Sequence, residues 1–262
     1  MVLTSGQTIR KITGLANTCS VAVTIITMKK LLLAIVIVVI CLTAYMVFQN
    51  QHSDNSNSSR YLKGQHSFSL KKADSPWLIV NKDTPINPKD YAPVNLEIPT
   101  VPIRSNITDD EKKVSYLVSP ALNNLVAAAR EQGITLDLQS GYRSYGAQQK
   151  LYENYLAQDT QSNIDSYSAK PGYSEHQTGL AVDLGGASSP GCNVKPCFAV
   201  TPESKWLTDN VHNYGFIFRY PEGKQKITGY EYEPWHLRYV GIYLATKMKT
   251  KGIATLEEYF KL

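Results

Sequence analysis

The sequence predicts an α+β fold: a small, largely antiparallel sheet flanked by helices, forming a single catalytic-sized domain behind an N-terminal transmembrane helix. Three observations carry this expectation. Residues 31–48 form an uncharged apolar run, several later segments show helical periodicity with start and stop signals, and short period-2 strands fall between those helices. With 262 residues, 43% of them hydrophobic, the chain can bury one substantial core but not two.

The first element is the apolar run "LLLAIVIVVICLTAYMVF", residues 31–48. As a helix it extends roughly 27 Å, near the hydrocarbon thickness of a bilayer. Lys29 and Lys30 precede it and a polar stretch follows, so the positive-inside rule places residues 1–30 in the cytoplasm and everything after the span outside. No small-x-small cleavage site follows the run, and Val38, Val39 and Ile40 before Cys41 make a poor lipobox, which favours an uncleaved anchor over a signal peptide. "MKK" at Met28 also reads as a natural start, leaving residues 1–27 either as a tail or as upstream sequence.

The formal charge is +5, but Arg10, Lys11, Lys29 and Lys30 lie in the first 48 residues with no acid among them, and the remainder carries about +1. The basicity is therefore a membrane flank, and no nucleic-acid-binding patch is present to argue from. Residues 49–76, rich in Ser and Asn without periodicity, read as a polar linker, with His52 and His66 as solvated linker residues.

The folded domain is expected over residues 77–262, opening with a strand at "WLIVNK". Pro85, Pro88, Pro93, Pro99 and Pro102 then exclude regular helix and predict an extended wrapping segment. Residues 119–132 form a helix capped by Ser119, with Leu122, Leu125, Val126 and Ala129 on one face and Gly133 as its stop. A strand follows at "ITLDLQS". Ser144 caps a second helix to about residue 157, with Leu151, Tyr152, Tyr155 and Leu156 on its buried side. Thr201 and Pro202 open a third, which Gly215 closes before the strand "FIFRY", and Thr255 with Glu258 forms a capping box near the end.

Chemistry concentrates in two stretches. In "YSEHQTGLAVDLG", residues 173–185, the period-2 rule puts Leu180, Val182 and Leu184 on one face and Gly179, Ala181 and Asp183 on the other. A carboxylate among tiny neighbours leaves room for a metal or a substrate backbone. In "EYEPWHLRYVG", Glu233 and His236 are three apart around Pro234 and Trp235, a setting for a turn that aims both into one cleft. Two imidazoles and one carboxylate (His176, His236, Asp183) suit catalytic zinc, which keeps a position for water, and Glu233 can take that water's proton.

Together with "SGYRS", these stretches resemble the VanY-type D-alanyl-D-alanine carboxypeptidases of the LAS group (M15 family) of zinc peptidases, which act on peptidoglycan stem peptides. The likeness covers roughly residues 77–262, through SxHxxxxxxD and ExWH in that order. It implies that His176, Asp183 and His236 bind Zn²⁺ and that Glu233 is the general base and acid. It further implies that Arg143 stabilises the oxyanion and that Gln148 and Ser174 contact the substrate near its terminal carboxylate. From the residues alone, Arg143 can equally fork onto a carboxylate or tie a turn, Gln148 can be a surface residue, and Ser174 a turn residue.

Cys192 and Cys197 bracket a short loop after the Asp183 strand, and outside the membrane a disulfide between them is chemically permitted. The expected activity is removal of terminal D-Ala from the stem pentapeptide in wall remodelling, by a single-pass membrane protein with an extracytoplasmic domain. The alternatives are an L,D-carboxypeptidase acting on tetrapeptides, a peptidoglycan endopeptidase, or a non-catalytic wall-binding module braced by zinc. An intact Glu233 argues against the last, because a closed structural zinc site needs no base.

Overall fold

The computed structural model describes residues 68–262 and, before them, Thr43 alone. The expected cytoplasmic tail 1–30, nearly all of the anchor 31–48 and the linker up to residue 67 lie outside the described residues. No helix among the described residues is long and apolar enough to cross a membrane.

Two antiparallel strands, β1 (Leu96–Glu97) and β2 (Val114–Ser115), pair first. Helix α1 (Ser119–Glu131) leads into β3 (Leu136–Ser140), and α2 (Tyr145–Leu156) and α3 (Gln161–Tyr167) follow. Strand β4 (Ala181–Gly186), α4 (Pro202–Asn210), β5 (Phe216–Phe218), α5 (Gln225–Thr228), β6 (His236–Tyr239), α6 (Ile242–Lys251) and α7 (Leu256–Phe260) complete the order. The main sheet runs β3-β4-β6-β5 and is antiparallel throughout, as the sequence predicts.

The sheet has two unlike faces because side chains alternate along each strand. Leu138, Val182, Leu184, Leu237 and Phe216 point to one side, where Leu122, Leu125 and Ala129 of α1 and Leu207 of α4 close the main core. A fully buried Leu or Phe of this kind contributes ~1.5–3 kcal/mol relative to exposure. The opposite face carries Asp183, His236, Arg238 and Ile217, the first two opposed in register, as are the last two. Trp77, Ile79, Leu244 and Met248 cover the Ile217 end.

Several local expectations change. "WLIV" forms no strand. The Leu78 and Val80 carbonyls accept from Arg238 Nη2 and Arg219 Nη2, and Trp77 Nε1 donates to Val240 O, so guanidinium groups take the place of a neighbouring strand. Phe68 and Leu70, assigned to the linker by composition, pack against the cluster containing Trp77. Val118, not Ser119, occupies the α1 cap, because a turn closed by Val118 N–H to Ser115 O already sets the helical path. On α2, Tyr152 is buried as expected, but Leu156 is exposed and Gln148 is buried. The Ser144, Thr201 and Thr255 caps all form, the last as a full capping box. The proline-rich stretch runs along the edge of β3, where Pro102 O accepts from Leu138 N–H and Leu138 O from Arg104 N–H.

Candidate metal centre

His176 sits in a single 3-10 turn, Glu175–Thr178, ended by Gly179 at φ +68°. A Cβ on Gly179 would come within 3.0 Å of Ser115 N and Leu96 Cδ2, so the position needs glycine for both its conformation and its fit against the β1–β2 pair. The small residues beside Asp183 therefore make room for protein: Gly179 admits that pair, and Ala181 lies opposite Arg238 in the β4–β6 register. The expectation that they open space for a ligand is corrected on this point.

Asp183 projects from β4 directly across from His236, the first residue of β6. Trp235 and Pro234 make the turn before it, with His236 N–H donating to Glu233 O and Glu233 N–H to Tyr220 O. The result is a trio of buried side chains, His176, Asp183 and His236, whose facing atoms all lie within 4.8 Å of one another. Asp183 Oδ2 is 3.3 Å from His176 Nε2, and Asp183 Oδ1 is 3.1 Å from His236 Nδ1. Even so, Asp183 Oδ1 has no aligned hydrogen bond, although it is buried. Three electron-pair donors converge with this oxygen unsatisfied among them, an arrangement that a cation would satisfy. The nitrogen of His176 away from the trio is held too, with Nδ1 2.7 Å from Gly141 O, which leaves Nε2 as the free donor.

Glu233 completes the group, with Oε2 3.5 Å from His236 Nδ1. Burial pushes its carboxyl up to about 8, against the pull of His236. Burial opposes the ionised form of Asp183 as well, but the neighbouring His176 and His236 outweigh it and hold this carboxyl well below the usual range. His236 is raised to about 10: burial works against its charge, and Asp183 and Glu175 overcome that. His176 is lowered, chiefly by burial.

Arg143 follows β3 and turns toward the trio, its backbone N–H donating to His176 O. Its guanidinium donates to Ser140 Oγ at 3.0 Å and to Gln148 Oε1 at 3.1 Å, and its charge acts on both His176 and Glu233. Gln148 is no surface residue: it is buried and its Nε2 donates to Ala169 O, joining α2 to the loop that leads into Ser174. Ser174 is buried two residues before His176. Cys192 and Cys197 form the expected disulfide. Its loop places Asn193 Oδ1 to accept from Gly186 N–H at the end of β4.

Residues 111–242 match the VanY family, described as D-alanyl-D-alanine carboxypeptidase. The chain belongs to the VanY family. YodJ of Bacillus subtilis (strain 168), a carboxypeptidase by name, is 36% identical over 220 residues, covering 81% of this chain and 80% of that protein. The solved LdcB LD-carboxypeptidase superposes with a TM-score of 0.68 at 39% identity, over 72% of this chain and 87% of that one. A variant of the VanY D,D-pentapeptidase from a VanB-type resistance cassette, solved with Zn(II), gives 0.56 at 35% identity, over 71% and 99%. Membership of the VanY family and a buried His-Asp-His site together make this chain a metallocarboxypeptidase.

One set of residues escapes sequence reading. Glu175, Arg219, Arg238 and Glu257 are buried together behind His236. A faint signal exists, since Arg238 is two residues after His236 and therefore shares its face of β6.

Proposed function

We propose that this chain is a zinc carboxypeptidase of the cell wall that releases the C-terminal D-alanine from peptidoglycan stem pentapeptides. The observation that carries the reading is the convergence of His176, Asp183 and His236 with Glu233 beside them. Two imidazoles and a carboxylate match the donor set zinc takes in peptidases, and the unbonded Asp183 Oδ1 is the place for a cation. When bound, zinc supplies Lewis-acid polarisation at the reacting centre.

The chain's own residues do the rest. Glu233 takes a proton from the attacking water and returns it to the departing amine, and its raised affinity for protons suits both halves of that exchange. Arg143, aimed by Ser140 and Gln148, presents its guanidinium to negative charge developing on the scissile carbonyl or standing on the substrate's terminal carboxylate. Gln148 and Ser174, both buried close to this guanidinium and His176, contact the substrate near its terminal carboxylate, as the family resemblance implies. The apolar run at residues 31–48 and its Lys29–Lys30 flank support a single-pass anchor that presents the domain to the wall outside the membrane.

A second reading, cleavage of D-alanine from the tetrapeptide, is favoured by one observation: the LD-carboxypeptidase LdcB has a higher TM-score and identity than the VanY D,D-pentapeptidase. The zinc-loaded full-length chain is incubated with each stem peptide and the products are weighed by mass spectrometry, beside Glu233→Ala. Loss of one alanine from the pentapeptide alone supports the first reading, and loss from the tetrapeptide moves the assignment to the second. Cleavage of neither, or cleavage undiminished in Glu233→Ala, overturns the proposal.

A further inference from the structure

Glu175 has no task in the chemistry above, yet it is as deeply buried as any side chain near the metal centre. Its Oε1 accepts from Arg219 Nε at 2.7 Å and from Arg238 Nη1 at 2.6 Å. Both guanidiniums are anchored elsewhere: Arg219 on Glu257 and Val80 O, and Arg238 on Pro76 O and Leu78 O. Four separate segments thus aim this one carboxylate. Its other oxygen, Oε2, has no hydrogen bond and faces His236 Nε2, also buried and without one, at 3.7 Å.

The two orphaned atoms explain each other. A neutral imidazole has one N–H and one lone pair, and only His236 Nδ1 faces Asp183 and Glu233. If Nδ1 gives its lone pair to a metal, the proton must sit on Nε2, in a buried place where a donor without an acceptor is costly. Glu175 Oε2 is the acceptor in that position. We propose that Glu175 is a positioning residue: it accepts the His236 Nε2–H, fixes the ring plane, and so makes Nδ1 the metal-binding nitrogen. The arginine pair is the frame that keeps the carboxylate pointed at the ring. This rests on the zinc reading above.

The test compares two carboxylates of one network in the full-length chain. Glu175→Gln removes a charge facing Arg219 and Arg238 and Glu257→Gln one facing Arg219, but only Glu175 faces His236. Zinc affinity is measured by competition with a chelator, and the visible absorption of the Co²⁺-substituted chain reports the ligand geometry. Glu175→Gln is expected to weaken zinc binding ~10–100-fold and to alter the cobalt spectrum. Glu257→Gln is expected to lower the melting temperature and leave both metal readouts as in the wild type. Unchanged affinity in Glu175→Gln, or equal losses in the two variants, overturns the proposal. Should Glu175→Gln not fold, Glu175→Asp keeps the charge against the arginines while withdrawing it from the ring, and wild-type zinc affinity there overturns the proposal equally. The wild type is titrated first: a chain that takes up no zinc overturns the zinc reading itself, before any variant is compared.

Discussion

The two faces of β4 and β6 differ in kind although the same strands carry both. On one, Val182, Leu184 and Leu237 are interchangeable in kind, apolar and surrounded by α1 and α4. On the other, a single residue away along the same backbone, Asp183, His236 and Arg238 each meet several specific polar partners. The first face sets how stable the sheet is, and the second sets what it can do. The pleat lets one strand serve both purposes without either set of side chains touching the other.

Breaking the chemical face should give the largest effect. Glu233→Ala is expected to reduce turnover ~10²–10⁴-fold while the zinc content and melting temperature stay as in the wild type, as read by stem-peptide hydrolysis beside metal analysis. On the apolar face, Leu237→Ala should do the reverse. It should cost ~2–5 kcal/mol in denaturant unfolding, with turnover per folded molecule preserved.

A smaller effect is expected at the disulfide rim, which borders β4 without contributing a ligand. Replacing both Cys192 and Cys197 by Ser should lower stability by about 2 kcal/mol, for a loop this short, and leave zinc affinity unchanged in a chelator titration.

The smallest effect concerns acid. Burial works to raise the Glu203 carboxyl, but hydrogen bonds from the Ser188 hydroxyl and backbone N–H outweigh it and hold the group below its ordinary value. The folded state therefore binds this proton less readily than the unfolded chain does. The stabilisation is present above the ordinary carboxylate range and is lost as the pH falls through the lowered folded value. Glu203→Gln should flatten that part of the acid limb in unfolding curves taken from pH 6 downward, and an unaltered limb would remove Glu203 from the account.

How much of this is legible beforehand depends on the range of the interactions. Helix α1, its apolar stripe and the Gly133 stop follow from local periodicity, as does the facing of Asp183 away from the core. The metal trio is legible because each member sits in a short stretch whose residue types have few other uses together. The "WLIV" segment misleads because its carbonyls bond to arginines about 140–160 residues away, and no local pattern encodes that. Leu156 misleads for a related reason: periodicity places Tyr152 correctly but cannot tell that the covered flank of α2 takes Gln148 and leaves Leu156 out. Glu175 beside a histidine in a polar turn looks solvated until Arg219 and Arg238 are seen to enclose it.

The network behind His236 also dictates an order of events in time. Its bonds join Pro76 to Arg238, 162 residues apart, Val80 to Arg219, 139 apart, and Arg219 to Glu257, 38 apart. Contacts of such long reach close late, after the helices and the Ser144 and Thr201 turns have formed from their neighbours. During synthesis, the frame around this histidine stays open until the segment carrying Glu257 has emerged. Until then nothing encloses the Glu175 carboxylate, and His236 lacks the buried partner that faces its Nε2.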